Sequence, residues 1–179
     1  MKRIEVAELS LATLDALDVG AVGLLIGEER PLQGLAGMVD WRLAGALTRA
    51  LAGGLYGAGP GEALLLPTAG RLPVARVVAQ GLPRDGGEAA FAAAVRRLGE
   101  VVARAGAPSF AAAALPVAGA TAAEACRAWL VAAAAVPGDR LVLLGDPRAL
   151  AGELAAARIA ARVEIEVAQF SGAPVAMVR

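Results

Sequence analysis

The chain contains no histidine and no asparagine, only one lysine (Lys2) and only one cysteine (Cys126). Without histidine it lacks the side chain that most often acts as a general base near neutral pH, and the commonest metal ligand. A single cysteine excludes an internal disulfide, so a disulfide-stapled secreted scaffold is ruled out and a cytoplasmic location is the expectation. Aromatic residues make up 3% of the chain. The core must therefore rest on Leu, Val, Ile and Ala, helped by Trp41, Tyr56, Phe91, Phe110, Trp129 and Phe170. The longest uncharged stretch, 105–123, is interrupted by Gly106, Pro108, Pro116 and Gly119; no membrane span is expected from it. Met1-Lys2-Arg3 runs directly into a charge-alternating segment, so no secretory leader is expected either.

Charge of one sign is also missing, since 17 basic and 17 acidic residues cancel. The arginines are scattered singly or in pairs such as Arg96-Arg97, with acids nearby. No concentrated basic face is available for a phosphate backbone, and nucleic acid is not an expected partner.

What is present reads as one domain. A chain of 179 residues is long enough to bury about 70% of its unfolded surface in a single core. Ile4 and Val6 alternate with charge as a first strand, and Ala21–Ile26 (AVGLLI) is a buried-strand run. Residues 32–52 have helical character; Asp40 would cap a segment that places Leu43, Leu47, Ala50 and Leu51 on one face. A glycine-rich loop follows at 53–61, then strands at 62–66 and 74–80 with hairpin spacing.

Beyond them the pattern alternates. Asp85-Gly86-Gly87-Glu88 has the spacing of a capping box ahead of a helical stripe from Phe91 to Val102. Strands at 109–115 and 140–144 flank a second capping box, Thr121 to Glu124, and its helix to Val136. Asp146-Pro147 opens another helix to about Arg162. Residues 163–167 alternate as a last strand, and 173–178 would add a short edge. Strands separated by helices require crossovers, so this half predicts a parallel sheet covered on both faces, with the first half adding mixed or antiparallel strands. The expected architecture is a three-layer α/β/α sandwich with a mixed, largely parallel sheet.

The order of these segments resembles the N-terminal domain of the leucyl (cytosol) aminopeptidases, whose fold is similar to that of macro domains. The resemblance rests on AVGLLIG (21–27), the segment 32–40 leading to a helix that ends Ala50-Leu51-Ala52, and the glycine loop 53–61. It continues through EALLLP (62–67), VARVVAQGL (74–82) and the alanine-rich helix after Gly87. It implies one macro-like domain over residues 1–179. In that family a separate C-terminal domain carries a two-metal site built from carboxylates and lysine. No Asn-Thr-Asp-Ala-Glu-Gly-Arg segment occurs here, so no residue inherits a catalytic or metal-binding role, and neither cofactor nor metal is expected. Macro domains that bind ADP-ribose typically carry an Asn-Ala-Ala-Asn-like segment after an early strand, which this chain also lacks.

The candidate ligand-binding positions are glycines: Gly53, Gly54 and Gly57 in the glycine-rich loop, and Gly27, Gly81 and Gly145 where strands end. Glycine-rich backbone can present N–H groups to phosphate, and open α/β sheets bind ligands beyond the C-terminal ends of their strands. Against this, the loop lacks a Gly-Lys-Ser/Thr ending, and it lies between a helix and a strand rather than the reverse. A helix stop and turn explains it as well. Asp85 and Asp146 read as helix caps, Glu164 and Glu166 as a solvated strand face, and Cys126 as a small core side chain. Ser10, Ser109 and Ser171 have no histidine partner.

Two functional expectations follow. One is a stand-alone, non-catalytic relative of the aminopeptidase N-terminal domain that acts through protein association, as a homo-oligomer or with a separately encoded peptidase domain. The other is a binding module for a nucleotide or ADP-ribose-like ligand in a macro-like cleft.

Overall fold

The computed structural model describes residues 3–83, 87–115, 121–162 and 164–171. Seven strands form one sheet among these residues: β1 (Arg3–Glu8), β2 (Ala21–Ile26), β3 (Ala63–Pro67), β4 (Arg76–Gly81), β5 (Ser109–Ala113), β6 (Arg140–Gly145) and β7 (Glu166–Gln169). Their order across the sheet is β3-β4-β2-β5-β6-β1-β7. Every neighbouring pair is parallel except β3 with β4. The hairpin is thus present, but the first half contributes only one antiparallel strand. β1 and β2 run parallel and are threaded among the strands of the second half, because β1 and β2 are joined by a crossover over β5 and β6.

Among the described residues six helices cover the sheet: α1 (Leu11–Asp15), α2 (Gly34–Arg42), α3 (Ala46–Ala52), α4 (Gly87–Arg104), α5 (Ala122–Ala135) and α6 (Pro147–Ala161). The long α4, α5 and α6 lie on one face, where Val95, Leu98, Val102, Leu130 and Leu154 pack on Ile4, Val6, Val78, Phe110, Leu141 and Leu143. The short α1, α2 and α3 cover the other, through Leu14, Leu35, Val39 and Leu47 against Val22, Leu24, Ile26, Val77 and Val142. Central strands buried on both faces need unbroken apolar runs, which explains AVGLLI and RLVLL. Trp129 is fully buried in the α4–α6 layer, and its indole N–H donates to the Ala114 carbonyl at 2.9 Å.

Local signals set several helix ends as expected. Thr121 and Glu124 form a reciprocal capping box on α5, and the Asp146 carboxylate accepts from the Arg148 and Ala149 amides with Pro147 in the first turn of α6. Asp40 does cap a helix, but no helix begins beside it. It lies inside α2, and its carboxylate accepts from Leu47 N at 2.8 Å and Thr48 N at 3.1 Å at the start of α3. The break between the two helices comes from Ala44 (φ 53°) and Gly45 (φ 78°), both left-handed.

An ionic cluster around the buried Glu5 ties β1 to β6. Arg140 Nε and Nη2 both donate to Glu5 Oε2, at 2.9 and 2.8 Å, while Arg3 holds the other Glu5 oxygen at 2.9 Å and Asp18 also meets Arg140. The final strand begins at Glu166, later than the alternation from 163 implies, because pairing with β1 sets its register (Arg3 opposite Glu166). Asp85 and the expected edge at 173–178 lie outside the described residues. Among the described residues no helix is long and apolar enough to cross a membrane.

Candidate functional site

Because six of the strands are parallel, their C-terminal ends gather at one edge of the sheet, and the start of antiparallel β3 joins them there. Among the described residues two hollows open at this edge. The first, about 70 Å³, lies at the ends of β2 and β5; Leu24, Leu25 and Ala113 form its floor, and Leu9, Leu115 and the first residues of α2 its walls. Among the described residues no charged side chain lines it, and Gln33 is the one polar side chain.

The end of α2 facing this hollow is bare. Gln33 occupies the N-cap position with extended backbone and makes no side-chain capping bond, and no acidic residue lies in the first turn. The first amides of any helix have no partner within it and carry the positive end of its dipole. By contrast α1, α5 and α6 are each capped by a side-chain oxygen, from Ser10, Thr121 and Asp146.

The second hollow is larger, about 560 Å³, at the ends of β6, β1 and β7. Glu8, Thr13, Asp146, Arg148, Gln169 and Phe170 line it. The two hollows adjoin at the end of β1, where Glu8 belongs to one and Leu9 to the other. Leu9 N donates to the Gly145 carbonyl at 3.2 Å and Phe170 N to the Val6 carbonyl at 3.0 Å, which fixes this junction.

The glycines singled out by sequence are distributed around the same edge. Gly27, Gly81 and Gly145 end β2, β4 and β6, whereas Gly53, Gly54 and Gly57 follow α3 on the β3 side. The Gly53 and Gly54 amides donate to Arg49 and Leu51 carbonyls in the helix stop, at 2.9 and 3.2 Å. Gly57 N and Gly59 N both donate to Glu62 Oε2, at 3.0 and 3.1 Å. The loop therefore does present amides to an anion, and that anion is the chain's own carboxylate. Gly81 packs against the carbonyls of Ala58 and Gly59, and its amide donates to the Glu62 carbonyl at 3.0 Å. Gly145 abuts Leu150; a Cβ there would lie 2.9 Å from Leu150 Cδ1.

Two of the serines have structural partners. Ser10 Oγ accepts from Thr13 N at 3.1 Å, and Ser109 Oγ from Gly20 N at 3.2 Å. Cys126 is fully buried, and burial pushes its thiol up to about 11. Glu164 and Glu166 are exposed. No group of His, Cys, Asp and Glu among the described residues has the arrangement to hold a metal ion. Sequence reasoning missed Gln33, Leu9 and Leu115; the one available signal was the lack of Ser, Thr, Asp or Asn ahead of Gly34.

This geometry has close structural counterparts. A macrodomain of Oceanobacillus iheyensis carrying ADPR superposes with a TM-score of 0.69 at 15% identity, covering 89% of this chain and 92% of that one. The chain has a macrodomain-like fold. A Mycobacterium tuberculosis macrodomain matches with a TM-score of 0.63 at 16% identity, over 81% of this chain and 99% of that one. A tomato leucine aminopeptidase matches with a TM-score of 0.60 at 12% identity over 88% of this chain, through its macrodomain-like N-terminal domain. The macrodomain-like chain spans only 36% of that enzyme's length. No protein-family model and no curated protein matches the sequence.

Proposed function

We propose that this chain is a non-catalytic binding module that takes a nucleotide- or ADP-ribose-like ligand along the C-terminal edge of its sheet. The observation that carries the reading is the N-terminus of α2, which has no side-chain cap and opens on a hollow with no carboxylate among its described lining residues. Unpartnered helix amides favour an anion, and a hollow of about 70 Å³ accommodates a phosphate-sized group rather than a whole ligand. The adjoining 560 Å³ hollow falls within the size range of pockets for drug-sized molecules. Phe170 there offers an aromatic surface, and Glu8, Thr13 and Gln169 offer polar groups to a base or ribose. The carboxylates Glu8 and Asp146 line this larger hollow and not the smaller one.

Binding of ADPR by the Oceanobacillus macrodomain supports the ligand class at the level of the fold. With asparagine absent, recognition here would use main-chain N–H groups and Gln33. In this reading Gly27 and Gly145 shape the strand ends beneath the ligand, while Gly53, Gly54, Gly57 and Gly81 hold the flanking loop. Thermal-shift titration with ADP-ribose, AMP and free amino acids tests it. ADP-ribose should raise the melting temperature in a saturable way, since a ligand stabilises the state it binds; no shift from any nucleotide at millimolar concentration would exclude it.

A second reading, association with a protein partner or with further copies of this chain, is favoured by the free edge of the sheet. The outer strand β3 reads ALLLP, leaving Leu65 and the nearby Leu55 exposed (54% and 75%), and apolar edge strands pair readily with other chains. The partner would be a homo-oligomer or a separately encoded peptidase domain. Light scattering at rising concentration separates these from a monomer.

A further inference from the structure

The outer strand β3 pairs with β4 alone among the described residues, and its register decides which of its backbone groups are left over. The Gly81 amide donates to the Glu62 carbonyl at 3.0 Å and the Thr68 amide to the Ala75 carbonyl at 3.2 Å. Opposed residues of an antiparallel pair alternate between bonded and non-bonded sites, and the register from Ala63 opposite Gln80 to Pro67 opposite Arg76 joins these two bonds. Glu62, Leu64, Leu66 and Thr68 therefore bond inward to β4, whereas Ala63, Leu65 and Pro67 turn their backbone groups to the free edge. Proline, which has no N–H, stands at an outward position, where β4 loses nothing by it. All three outward residues are exposed, Leu65 by 54%. Beyond Ala63 the edge closes, because Arg97 Nε donates to the Gly61 carbonyl at 3.2 Å.

We propose that the free edge of β3 is a homodimer interface, on which β3 of a second copy pairs antiparallel about a twofold axis at Leu65. This rests on the association reading above and names its occupant and register. The three outward positions are symmetric about Leu65, so this register sets all of them against one another. Each Leu65 amide donates to the Leu65 carbonyl of the partner subunit, and each Ala63 amide to the Pro67 carbonyl of the partner subunit. The donor that proline lacks leaves only the Ala63 carbonyl to water. Charge is matched by the same geometry. Antiparallel pairing brings the turn at 68–71, closed by the Arg71 amide on the Thr68 carbonyl at 3.0 Å, to the Glu62 end of the other strand. Arg71 and Glu62 are both exposed. The two amides that hold Glu62 both bond to its Oε2, which leaves Oε1 to accept from the arginine. Twofold symmetry repeats this contact, as in any isologous interface.

Light scattering of the full chain at rising concentration should show monomer passing to dimer, with slowed amide exchange at Ala63 and Leu65 as the dimer forms. Leu65→Lys places like charges at the axis, on an exposed position, and should weaken dimerisation about tenfold or more. Mild oxidation checks the register independently. Residues opposed in a bonded antiparallel pair have Cα atoms about 5.5 Å apart, within disulfide reach, so Leu65→Cys should cross-link between subunits. Ala63→Cys should not, because Ala63 stands opposite Pro67 and its own equivalent lies beyond the limit of about 7 Å. Cys126 is fully buried and takes no part. A dimer that survives Leu65→Lys unchanged, or equal cross-linking by the two cysteine variants, would overturn this proposal and leave the association reading standing. A monomer at every concentration would overturn self-association altogether.

Discussion

Gly81 lies so close to the chain at Gly59 that no side chain fits between them. A Cβ on Gly81 would stand 2.5 Å from the Ala58 carbonyl oxygen and closer still to that of Gly59. Both obstacles are backbone and cannot swing aside. Gly81→Ala should therefore cost about 3–4 kcal/mol, the range of severe overpacking. In α6, Gly152 faces open space, so Gly152→Ala should instead stabilise by about 0.5–1 kcal/mol. Urea denaturation of the two variants checks the contrast, and equal effects would refute the packing argument.

Glu62 closes the same loop from within, through its two bonds to Gly57 N and Gly59 N. Glu62→Ala should lower stability by about 1 kcal/mol, the usual net value of exposed hydrogen bonds to a charged group. It should also raise amide exchange at Gly57 and Gly59 while leaving the ends of β2 and β5 unchanged. Hydrogen exchange read by NMR distinguishes this local loosening from a global effect.

These loop contacts mark the boundary of what the sequence made legible. Thr121 with Glu124, and Asp146 with Pro147, were readable because a cap and its helix sit within three residues of each other. Asp40 was readable as a cap but not as the cap of α3, because its partners lie seven and eight residues on, past a break at Ala44 that takes a left-handed conformation without being glycine. The apolar run of β2 announced a buried strand, yet not its place between β4 and β5. Order across a sheet depends on crossovers, and neighbouring apolar strands offer one another similar surfaces. The bare end of α2 was hardest to see, since its meaning depends on Leu9 and Leu115 arriving from distant segments.

Acid should weaken the start of α5. The backbone amide of Thr121, and then its hydroxyl, hold the Glu124 carboxyl below the usual glutamate range. A carboxylate whose folded pKa is depressed stabilises the fold above its unfolded value, and that contribution is lost as pH falls through the folded value. Wild type should thus melt higher than Glu124→Gln above the ordinary glutamate pKa of about 4.3, and the gap should close below it. A gap independent of pH would contradict this assignment.

Cys126 should be chemically silent in the folded protein. Burial, and secondarily the charge of Glu153, raises its thiol to about 11, so the reactive thiolate is scarce at pH 8 and sterically shielded. Ellman's reagent should release no colour from native protein over minutes and one equivalent after denaturation. Rapid modification without unfolding would show that α5 opens locally.

The central claim is that the end of α2 and the hollow beside it form a ligand site. Amide chemical-shift mapping of the ¹⁵N-labelled chain with ADP-ribose tests it most directly. The expected result is a saturable shift of the Gly34, Leu35 and Ala36 amides together with Leu9 and Leu115, while the loop at Gly57 and Gly59 stays still. Shifts confined to other surfaces, or none at millimolar ligand, would contradict it.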